Sequence, residues 1–336
     1  MKILFLGSLK KFTYSFYTYS ILKKNYKKID AINTDNFFFF KNLVYIVLFH
    51  LSPKLIEPYL NHIIKKRIKK KYDLIFVVTG ELLGKKILKY LKKNNSKLVF
   101  LCLDNPFHNI DKEKWKLTLE GINLYDLVIF QQRTRIKYAK KLNLKYSLIP
   151  PLYNKKIHRP LNKNINKRKF KRDILLIGTW FTDRGKFAKE LIDRGLKFDI
   201  YGDHWRKDIN YKYLKNFIKC KGVFGYQYSK LIYESKIVLS LPNTDNDDDI
   251  TNKSLEVPAI GSLLLTKDTK SHRKIFFPGK DVVFFINTID CYKKCKILLN
   301  NENKINKISI AGHKKIISNP KFDYEKNLIK LLKKVK

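Results

Sequence analysis

The chain has 336 residues, 44% of them hydrophobic and 14% aromatic, which excludes wholesale disorder and predicts two domains that each bury a core. The 71 Lys and Arg residues exceed the 29 Asp and Glu residues, for a formal net charge of +42. Only 10 of the basic residues are arginine, the residue that proteins reading nucleic acid use for bidentate contacts. The scattered lysines therefore favour an anionic membrane surface or a phosphorylated substrate as partner over nucleic acid.

The first half of the sequence alternates short apolar runs with amphipathic segments. The opening run, Ile3–Leu6, is too short for the core of a signal peptide and is typical of a first β-strand. Short apolar runs separated by helices predict a parallel sheet covered on both faces. The predicted strands are Lys2–Leu6, Asp73–Val78, Lys97–Leu103, Leu127–Phe130 and Tyr146–Ile149, with helices at Leu82–Asn94 and Thr134–Leu142.

The longest apolar run and the cysteine content indicate the cellular compartment of the protein. The longest apolar run, Phe37–Leu51, is interrupted by Lys41 and Asn42 and is shorter than the roughly 20 residues that span a bilayer. The four cysteines are too few for a disulfide scaffold of this size, which favours free thiols in a reducing compartment. We therefore expect a cytoplasmic protein, soluble or peripheral at the inner membrane face.

A second alternation of strands and helices follows the Pro150-Pro151 pair. It predicts an α/β fold of two doubly wound Rossmann-like domains that face each other across a cleft, with the ligand outside the carboxyl ends of the strands. The predicted divisions are residues 1–155, a polar linker at 156–171, residues 172–320, and a basic C-terminal helix at 321–336 that returns to the first domain. The predicted elements are strands at Asp173–Ile177, Lys197–Tyr201, Ile237–Leu241, Leu263–Thr266 and Val282–Phe285, and helices at Phe187–Arg194, Tyr228–Ser235, Cys291–Leu299 and Ile305–Ile317.

The segment Thr251–Thr266 has the features of a small-molecule site. A polar loop leads into a short helix that carries Glu256, followed by a Pro-Ala-x-Gly break and an apolar strand. The N-terminal amides of a helix favour an anion such as a diphosphate, and a carboxylate one turn in can accept hydrogen bonds from the hydroxyls of a ribose. These features indicate a nucleotide-sugar site; the alternative is a buried helix-to-strand unit whose glutamate is a cap.

Several motifs follow one another in the order found in a known enzyme family. In the second half they are Asp173-Ile-Leu-Leu-Ile-Gly-Thr-Trp180, Tyr201-Gly-Asp-His-Trp205, Tyr228–Leu241 and Leu255-Glu256-Val-Pro-Ala-Ile-Gly261. In the first half they are Val78-Thr-Gly-Glu81, Leu103-Asp-Asn-Pro106 and the segment from Pro150 to Pro160. Together they resemble the CgeB-like glycosyltransferases, a branch of the two-Rossmann (GT-B) glycosyltransferases, over most of the chain.

The resemblance implies an acceptor domain followed by a donor domain that binds a nucleoside-diphosphate sugar. It implies that Glu256 binds the donor ribose, and that the Gly178-Thr179 turn and the amides near Ser254 face the nucleotide and diphosphate. Lys253 stands where the family usually has arginine. A lysine supplies positive charge to a diphosphate but not the bidentate fork of a guanidinium.

Three residues of the first half are candidates for the base that deprotonates the acceptor hydroxyl. Asp104 follows an apolar strand and precedes Pro106, so its carboxylate is expected at the strand end, although it can equally close an Asx turn. Glu81 lies at a comparable strand end, and His108 follows four residues after Asp104. Asn105 stands where a second aspartate is common in the family.

Further residues at strand ends of the second half are candidates for donor binding. Trp180 and Trp205 are expected to stack on a base or sugar, or else to be plain core. Arg184 is expected to reach a phosphate or to face water, and Asn243 lies at the end of a predicted strand. The acidic run Asp245–Asp249 lacks the glycine that a calcium loop requires at its sixth position, which is Ile250, so no metal or other cofactor is expected.

The sequence thus predicts a metal-independent glycosyltransferase of the hexosyltransferase type, acting on a glycan, lipid-linked glycan or protein. A catalytically inactive binding module of the same fold is the first alternative, and a basic nucleic-acid-binding protein is the second. Basic stretches at Ile63–Lys71 and Leu328–Lys336 are expected to lie on an anionic bilayer or to be solvated helix faces.

Overall fold

The computed structural model divides the chain into two compact units, residues 1–150 with 325–336, and residues 151–324. The structure describes residues 1–38, 41–68, 70–78, 80–93, 95–108, 113–162, 164–165, 168–220 and 222–335, without the side chains of 41–45, 220 and 245. Thr79, Lys69 and Lys336 of the sequence motifs therefore lie outside the described residues.

The first unit is a parallel sheet of six strands in the order β2-β1-β3-β4-β5-β6. The central strands are buried on both faces, which explains why they are continuous apolar runs rather than alternating ones. The elements are β1 (Lys2–Gly7), α1 (Tyr14–Asn25), β2 (Lys28–Asn33), α2 (Lys41–His50), α3 (Glu57–Arg67), β3 (Leu74–Val78), α4 (Lys85–Lys92), β4 (Lys97–Cys102), α5 (Lys116–Gly121), β5 (Leu127–Phe130), α6 (Ile136–Lys141) and β6 (Tyr146–Leu148).

The second unit repeats this architecture with the strand order β12-β11-β10-β7-β8-β9, again parallel throughout. The elements are β7 (Arg172–Ile177), α7 (Thr182–Asp193), β8 (Asp199–Tyr201), α8 (Tyr211–Leu214), β9 (Ile218–Cys220), α9 (Gly225–Tyr233), β10 (Ser235–Ser240), α10 (Lys253–Ile260), β11 (Leu263–Lys267), α11 (Lys270–Ile275), β12 (Val283–Phe285), α12 (Thr288–Leu299) and α13 (Glu302–Ser318). The chain reverses its direction of strand addition between β7 and β10, and ligands of open α/β sheets bind at such a switch point.

The predicted α/β class with two doubly wound sheets is confirmed. Two strands were not predicted, β2 and β9, and each is an outer strand of its sheet. The alternating polar residues of β2 (Lys-Ile-Asp-Ala-Ile-Asn) give it a weaker apolar signal than the buried strands. The apolar run Phe37–Leu51 contributes helix α2, and none of the helices in the described part of the chain is long and apolar enough to span a bilayer.

The last helix, α14 (Tyr324–Lys333), packs with the first unit from Glu325 onward. It buries Leu328 and Leu332 completely, and the Glu325 carboxylate accepts hydrogen bonds from Lys24 (2.7 Å) and Asn25 (2.9 Å) of α1. Within the segment 156–171, predicted as a linker, the described residues include His158 and Arg168, which are both buried.

Candidate functional site

The candidate site of the second unit lies where β7 and β10 end, at the switch point of the sheet. Gly178 and Thr179 follow β7, and Leu241 to Asn243 follow β10. Arg184, near the start of α7, joins the two strand ends because its guanidinium donates hydrogen bonds to the carbonyl oxygens of Thr179 (2.5 Å) and Leu241 (2.6 Å). Arg184, predicted to reach a phosphate or to face water, is 8% exposed, so it does not face water, and its two hydrogen bonds hold both loops.

The turn after β7 is held from the neighbouring strand end. The Trp205 indole N–H donates to the carbonyl oxygen of Gly178 at 3.0 Å, and the Gly178 amide donates to the carbonyl of Tyr201 at 2.9 Å. A side chain at Gly202 would overlap the same Gly178 carbonyl, so this close approach requires glycine. Trp205 is 2% exposed within the core, as in the core alternative of its predicted role, and it helps to fix this turn.

Trp180 is more accessible than Trp205. Its backbone amide donates to the carbonyl of Asp203 (2.8 Å), and its indole N–H donates to Asp208 Oδ2 (2.6 Å). The ring is half-buried and packs on the edge of the core. One edge of Trp180 is therefore fixed by protein contacts, while Thr179 beside it is exposed.

Lys253, the first residue of α10, places an ammonium group beside the Gly178 turn. A Cβ atom built on Gly178 would lie 3.9 Å from Lys253 Cε and 2.7 Å from an Arg184 nitrogen, so the two cations flank this turn. Burial lowers the pKa of Lys253, Glu256 opposes that shift, and Arg184 lowers the pKa further. Within the described residues, the Lys253 ammonium has no hydrogen bond and no ion pair. An anion at this turn would supply the missing counter-charge.

The amides near Ser254 are predicted to face a diphosphate, and the amide of Ser254 itself donates to the carbonyl of Thr251 at 3.1 Å. The Ser254 hydroxyl lies 2.8 Å from His272 Nε2. His272 Nδ1 lies 2.9 Å from the carbonyl of Lys267, which can only accept, so Nδ1 carries the proton and Nε2 accepts from Ser254. Burial lowers the pKa of His272 to about 4, so this imidazole is neutral and anchors the start of α10.

Glu256 lies one turn further along α10, with its carboxylate held from α9. The Tyr228 hydroxyl donates to Glu256 Oε2 at 2.6 Å, and Glu256 Oε1 lies 3.8 Å from His158 Nδ1. His158 Nδ1 accepts the backbone N–H of Asn154 at 3.0 Å, and burial lowers the pKa of this imidazole. The histidine is therefore neutral, and Glu256 Oε1 keeps its capacity to accept a ligand hydroxyl.

The loop after β10 closes on itself. The backbone carbonyl of Asn243 accepts the amides of Asn246 (3.1 Å) and Asp248 (3.0 Å), and Thr244 donates to Asp183 on α7. Oδ1 of Asn243 is buried and has no hydrogen-bond partner among the residues that the structure describes. The Asp245 side chain lies outside the described residues, and Ile250 is buried.

The first unit brings two of the three predicted base candidates near one another at the ends of β3 and β4. Asp104 is exposed (52% of its side chain), and its Oδ2 lies 3.9 Å from Lys114 Nζ. Oε2 of Glu81 is buried without a hydrogen-bond partner among the described residues. Burial raises the pKa of Glu81 to about 7, Lys114 opposes that shift, and Asp104 adds to it.

His108 and Asn105 complete the loop after β4. Nδ1 of His108 is buried, with no hydrogen-bond partner in the described part of the chain. Asn105 is 3% exposed and accepts the amide of Phe107 at 3.1 Å, so it shapes the turn as an Asx residue. The missing second aspartate of this motif is therefore replaced by a structural amide.

Sequence reasoning missed the residues that support the site. Tyr228 and His158 occur in quoted motifs but were not assigned to Glu256, and His272 and Arg168 were not singled out. Arg168 is 7% exposed and donates to the carbonyls of Tyr233 (3.1 Å), Gly261 (2.7 Å) and Ser235 (2.6 Å). The sequence carried no periodic signal for this role, since the partners of Arg168 are backbone groups distant in sequence.

Comparison with known proteins places this architecture in a class. Residues 184–333 match a family model described as glycosyl transferase-like. HepE of Anabaena, solved in complex with UDP, has 14% sequence identity and a TM-score of 0.67, with 99% of this chain and 100% of that chain covered. Sucrose-phosphate synthase of Thermosynechococcus elongatus has 10% identity and a TM-score of 0.66, with 100% of this chain and 99% of that chain covered.

A third similar structure was solved with a nucleotide and with sugar-containing ligands. A point mutant of S. aureus TarM, solved with fondaparinux, α-GlcNAc-glycerol and UDP, has 17% identity and a TM-score of 0.59, with 83% of this chain and 58% of that chain covered. No curated protein matches the sequence. The fold is that of the GT-B glycosyltransferases. The glycosyl transferase-like match covers most of the second unit, in agreement with the predicted glycosyltransferase function.

Proposed function

We propose that the protein transfers a sugar, of the hexose type, from a nucleoside-diphosphate sugar to a hydroxyl of a glycan, lipid-linked glycan or protein, as a CgeB-like member of the GT-B glycosyltransferases. The observation that carries the proposal is the pair formed by Lys253 and Glu256 on α10. Lys253 presents an ammonium without a counter-ion among the described residues, and Glu256 presents a carboxylate with an oxygen available to a ligand. Diphosphate and ribose are the ligand groups that match them.

The donor diphosphate is proposed to lie at the Gly178-Thr179 turn, against Lys253. The sugar–oxygen bond to the β-phosphate breaks during transfer, and negative charge develops on the departing diphosphate. A cation fixed in a partly buried site stabilises that charge strongly, since it needs little reorganisation. Arg184 adds its positive charge beside this turn, and its hydrogen bonds hold both loops in place. This arrangement supports charge stabilisation without a metal. The UDP present in the HepE and TarM structures fits the same donor class.

The acceptor hydroxyl must lose its proton as its oxygen bonds to the anomeric carbon. Glu81 is the favoured base of the three candidates, because a carboxylate with a pKa near 7 is matched to accepting a proton near neutral pH. Asp104 is exposed and lies near Lys114, so it is proposed to hold that lysine rather than to accept the proton. His108 remains a candidate through its buried ring nitrogen.

A catalytically inactive binding module of the same fold is the second candidate function. Lys253 in place of the family's arginine and Asn105 in its Asx turn are the observations that favour it. Nucleic acid binding has no support beyond the net charge. The enzyme, the inactive binding module and a nucleic-acid-binding protein differ in whether one nucleotide stabilises the fold selectively and in whether its sugar is transferred.

A thermal-shift series with UDP, GDP, dTDP, CMP and their sugars tests the proposal. A ligand at about 100 times its dissociation constant stabilises the folded state by about 2.7 kcal/mol. Selective stabilisation by one nucleotide, lost in Glu256→Ala and kept in the control Glu190→Ala, is expected. Sugar transfer from that nucleotide would distinguish the enzyme from the binding module. Equal stabilisation by every polyanion, abolished by salt, would overturn the donor-site proposal.

A further inference from the structure

The corner between α2 and α3 carries a cluster of exposed apolar side chains on the first unit. Ile46, Leu51, Leu55 and Tyr59 are 46%, 54%, 66% and 48% exposed. Single exposed apolar residues are ordinary, but four large ones within fourteen residues are not. We call these four side chains the apolar corner.

The backbone holds the apolar corner together. The Leu51 amide donates to the carbonyl of Ile46 (3.2 Å), and the Leu55 amide donates to the carbonyl of Ser52 (3.1 Å). Tyr59 follows Leu55 by four residues and lies against the ring of Phe38, with centroids 5.8 Å apart. The opposite face of α3 is anchored in the core, so the exposed face is a stable feature rather than a frayed one.

Basic residues continue the exposed face of α3. Tyr59, His62 and Lys66 are spaced i, i+3 and i+7, which places them on one side of the helix, and all three are exposed. Lys65 and Arg67 are exposed at the same end of α3, where they lie over the rings of Tyr90 (5.1 Å) and Phe37 (5.2 Å). The sequence from 41 to 71 contains eight Lys or Arg residues and one acidic residue, Glu57.

We propose that the apolar corner and the basic end of α3 bind the surface of an anionic lipid bilayer. Apolar side chains next to a run of cations match the two layers of such a surface, the acyl boundary and the anionic headgroups. A specific protein partner would require acidic groups matched to fixed positions, whereas lysines with flexible stems suit a fluid layer of negative charge. The proposal concerns where the protein binds and is independent of its donor chemistry.

Co-sedimentation with vesicles tests this surface. Wild-type protein is expected to sediment with phosphatidylcholine vesicles containing phosphatidylglycerol at about a third, and much less with pure phosphatidylcholine. The double variant Leu51→Ser/Leu55→Ser is expected to weaken partitioning by at least about tenfold, since two apolar side chains leave the acyl boundary. The matched control is Ile209→Ser with Ile297→Ser, both exposed residues of the second unit.

Charge-reversal variants and a donor-site variant complete the experiment. Lys65→Glu/Lys66→Glu is expected to weaken binding by at least about tenfold, more than the control Lys212→Glu/Lys215→Glu, which removes the same charge from an exposed site of the second unit. Glu256→Ala should bind vesicles normally, which separates this proposal from the donor site. Equal losses in both charge variants, or full binding by Leu51→Ser/Leu55→Ser, would overturn the proposal. So would self-association that this apolar variant abolishes, because the corner would then be an interface between copies.

Discussion

Tyr228 donates its phenolic hydrogen to Glu256 Oε2 at 2.6 Å, joining α9 to the helix that carries the candidate site. Burial raises the pKa of Tyr228 well above its ordinary value, and the charge of Glu256 and this hydrogen bond add to the shift. A carboxylate with one oxygen fixed in this way offers its other oxygen in a defined direction. The Glu256 side chain is therefore oriented before any ligand arrives.

Replacing Tyr228 by phenylalanine should impair donor binding more than chemistry. The ring still fills its place, but Glu256 loses the hydrogen bond that orients it, so the donor KM should rise about tenfold, as expected from a lost charge-assisted hydrogen bond. The turnover number should change by less than about threefold. Steady-state kinetics with the donor from the thermal-shift series would measure both. Tyr226→Phe, at an exposed position of the same helix, is the control, and a fall in turnover alone would contradict the assignment.

Lys253→Met should remove the cation at the proposed diphosphate position. The methionine keeps the length of the side chain while the ammonium is lost, so kcat/KM should fall by about a hundredfold. Lys253→Arg should retain most activity, because a guanidinium also neutralises a diphosphate. Lys267→Met, at an exposed lysine of β11, serves as the control. Unchanged nucleotide affinity and activity in Lys253→Met would show that the diphosphate lies elsewhere.

Glu81→Gln should stabilise the first unit at high pH only. Burial raises the folded pKa of Glu81 to about 7 from 4.5, so the folded state holds a proton that the unfolded state has released. Glu81 lowers the free energy of unfolding progressively as the pH rises above 4.5, and above about pH 7 this loss reaches its full value of about 3 kcal/mol. Urea unfolding at pH 4 and pH 8 should show a gain only at pH 8. Glu113→Gln, at a partly exposed residue, should show no such difference.

The second unit should lose stability on acidification through His272. Its folded pKa is lowered by burial to about 4 from 6.5, so the unfolded state binds a proton that the folded state does not. Stability from this group is complete above pH 6.5 and falls as the pH drops towards 4, by about 3 kcal/mol in total. Hydrogen exchange of the α10 amides would follow this loss. A His272→Asn variant with the same pH dependence as wild type would assign the loss to other groups.

Arg168→Met should destabilise the second unit, including the C-terminal end of α10 at Gly261. The substitution keeps the apolar stem but leaves the carbonyls of Tyr233, Ser235 and Gly261 without their donor. We expect a loss of about 3 kcal/mol, because buried carbonyl groups become unsatisfied. Exchange rates of the β10 amides report it, with the exposed Arg194→Met as control. Wild-type protection in Arg168→Met would show that water replaces the guanidinium at no cost.

The sequence by itself determined the order of strands and helices and most of the candidate residues. Buried parallel strands are continuous apolar runs, so most strands of the described residues could be predicted. The outer strands β2, with its alternating polar residues, and β9, with only three residues, could not. The spacing of Lys253, Glu256 and Gly261 is local, and it fixed their positions at the start and end of one short helix.

Only the tertiary structure decided what these residues contact. Trp205 is buried under the Gly178 turn, and Arg184 braces two loops that are 62 residues apart in sequence, between Thr179 and Leu241. Tyr228 and His158 reach Glu256 from segments 28 and 98 residues away. Hydrogen bonds between distant segments leave no periodic signal in a sequence, because they depend on which strand ends meet at the switch point of the folded sheet.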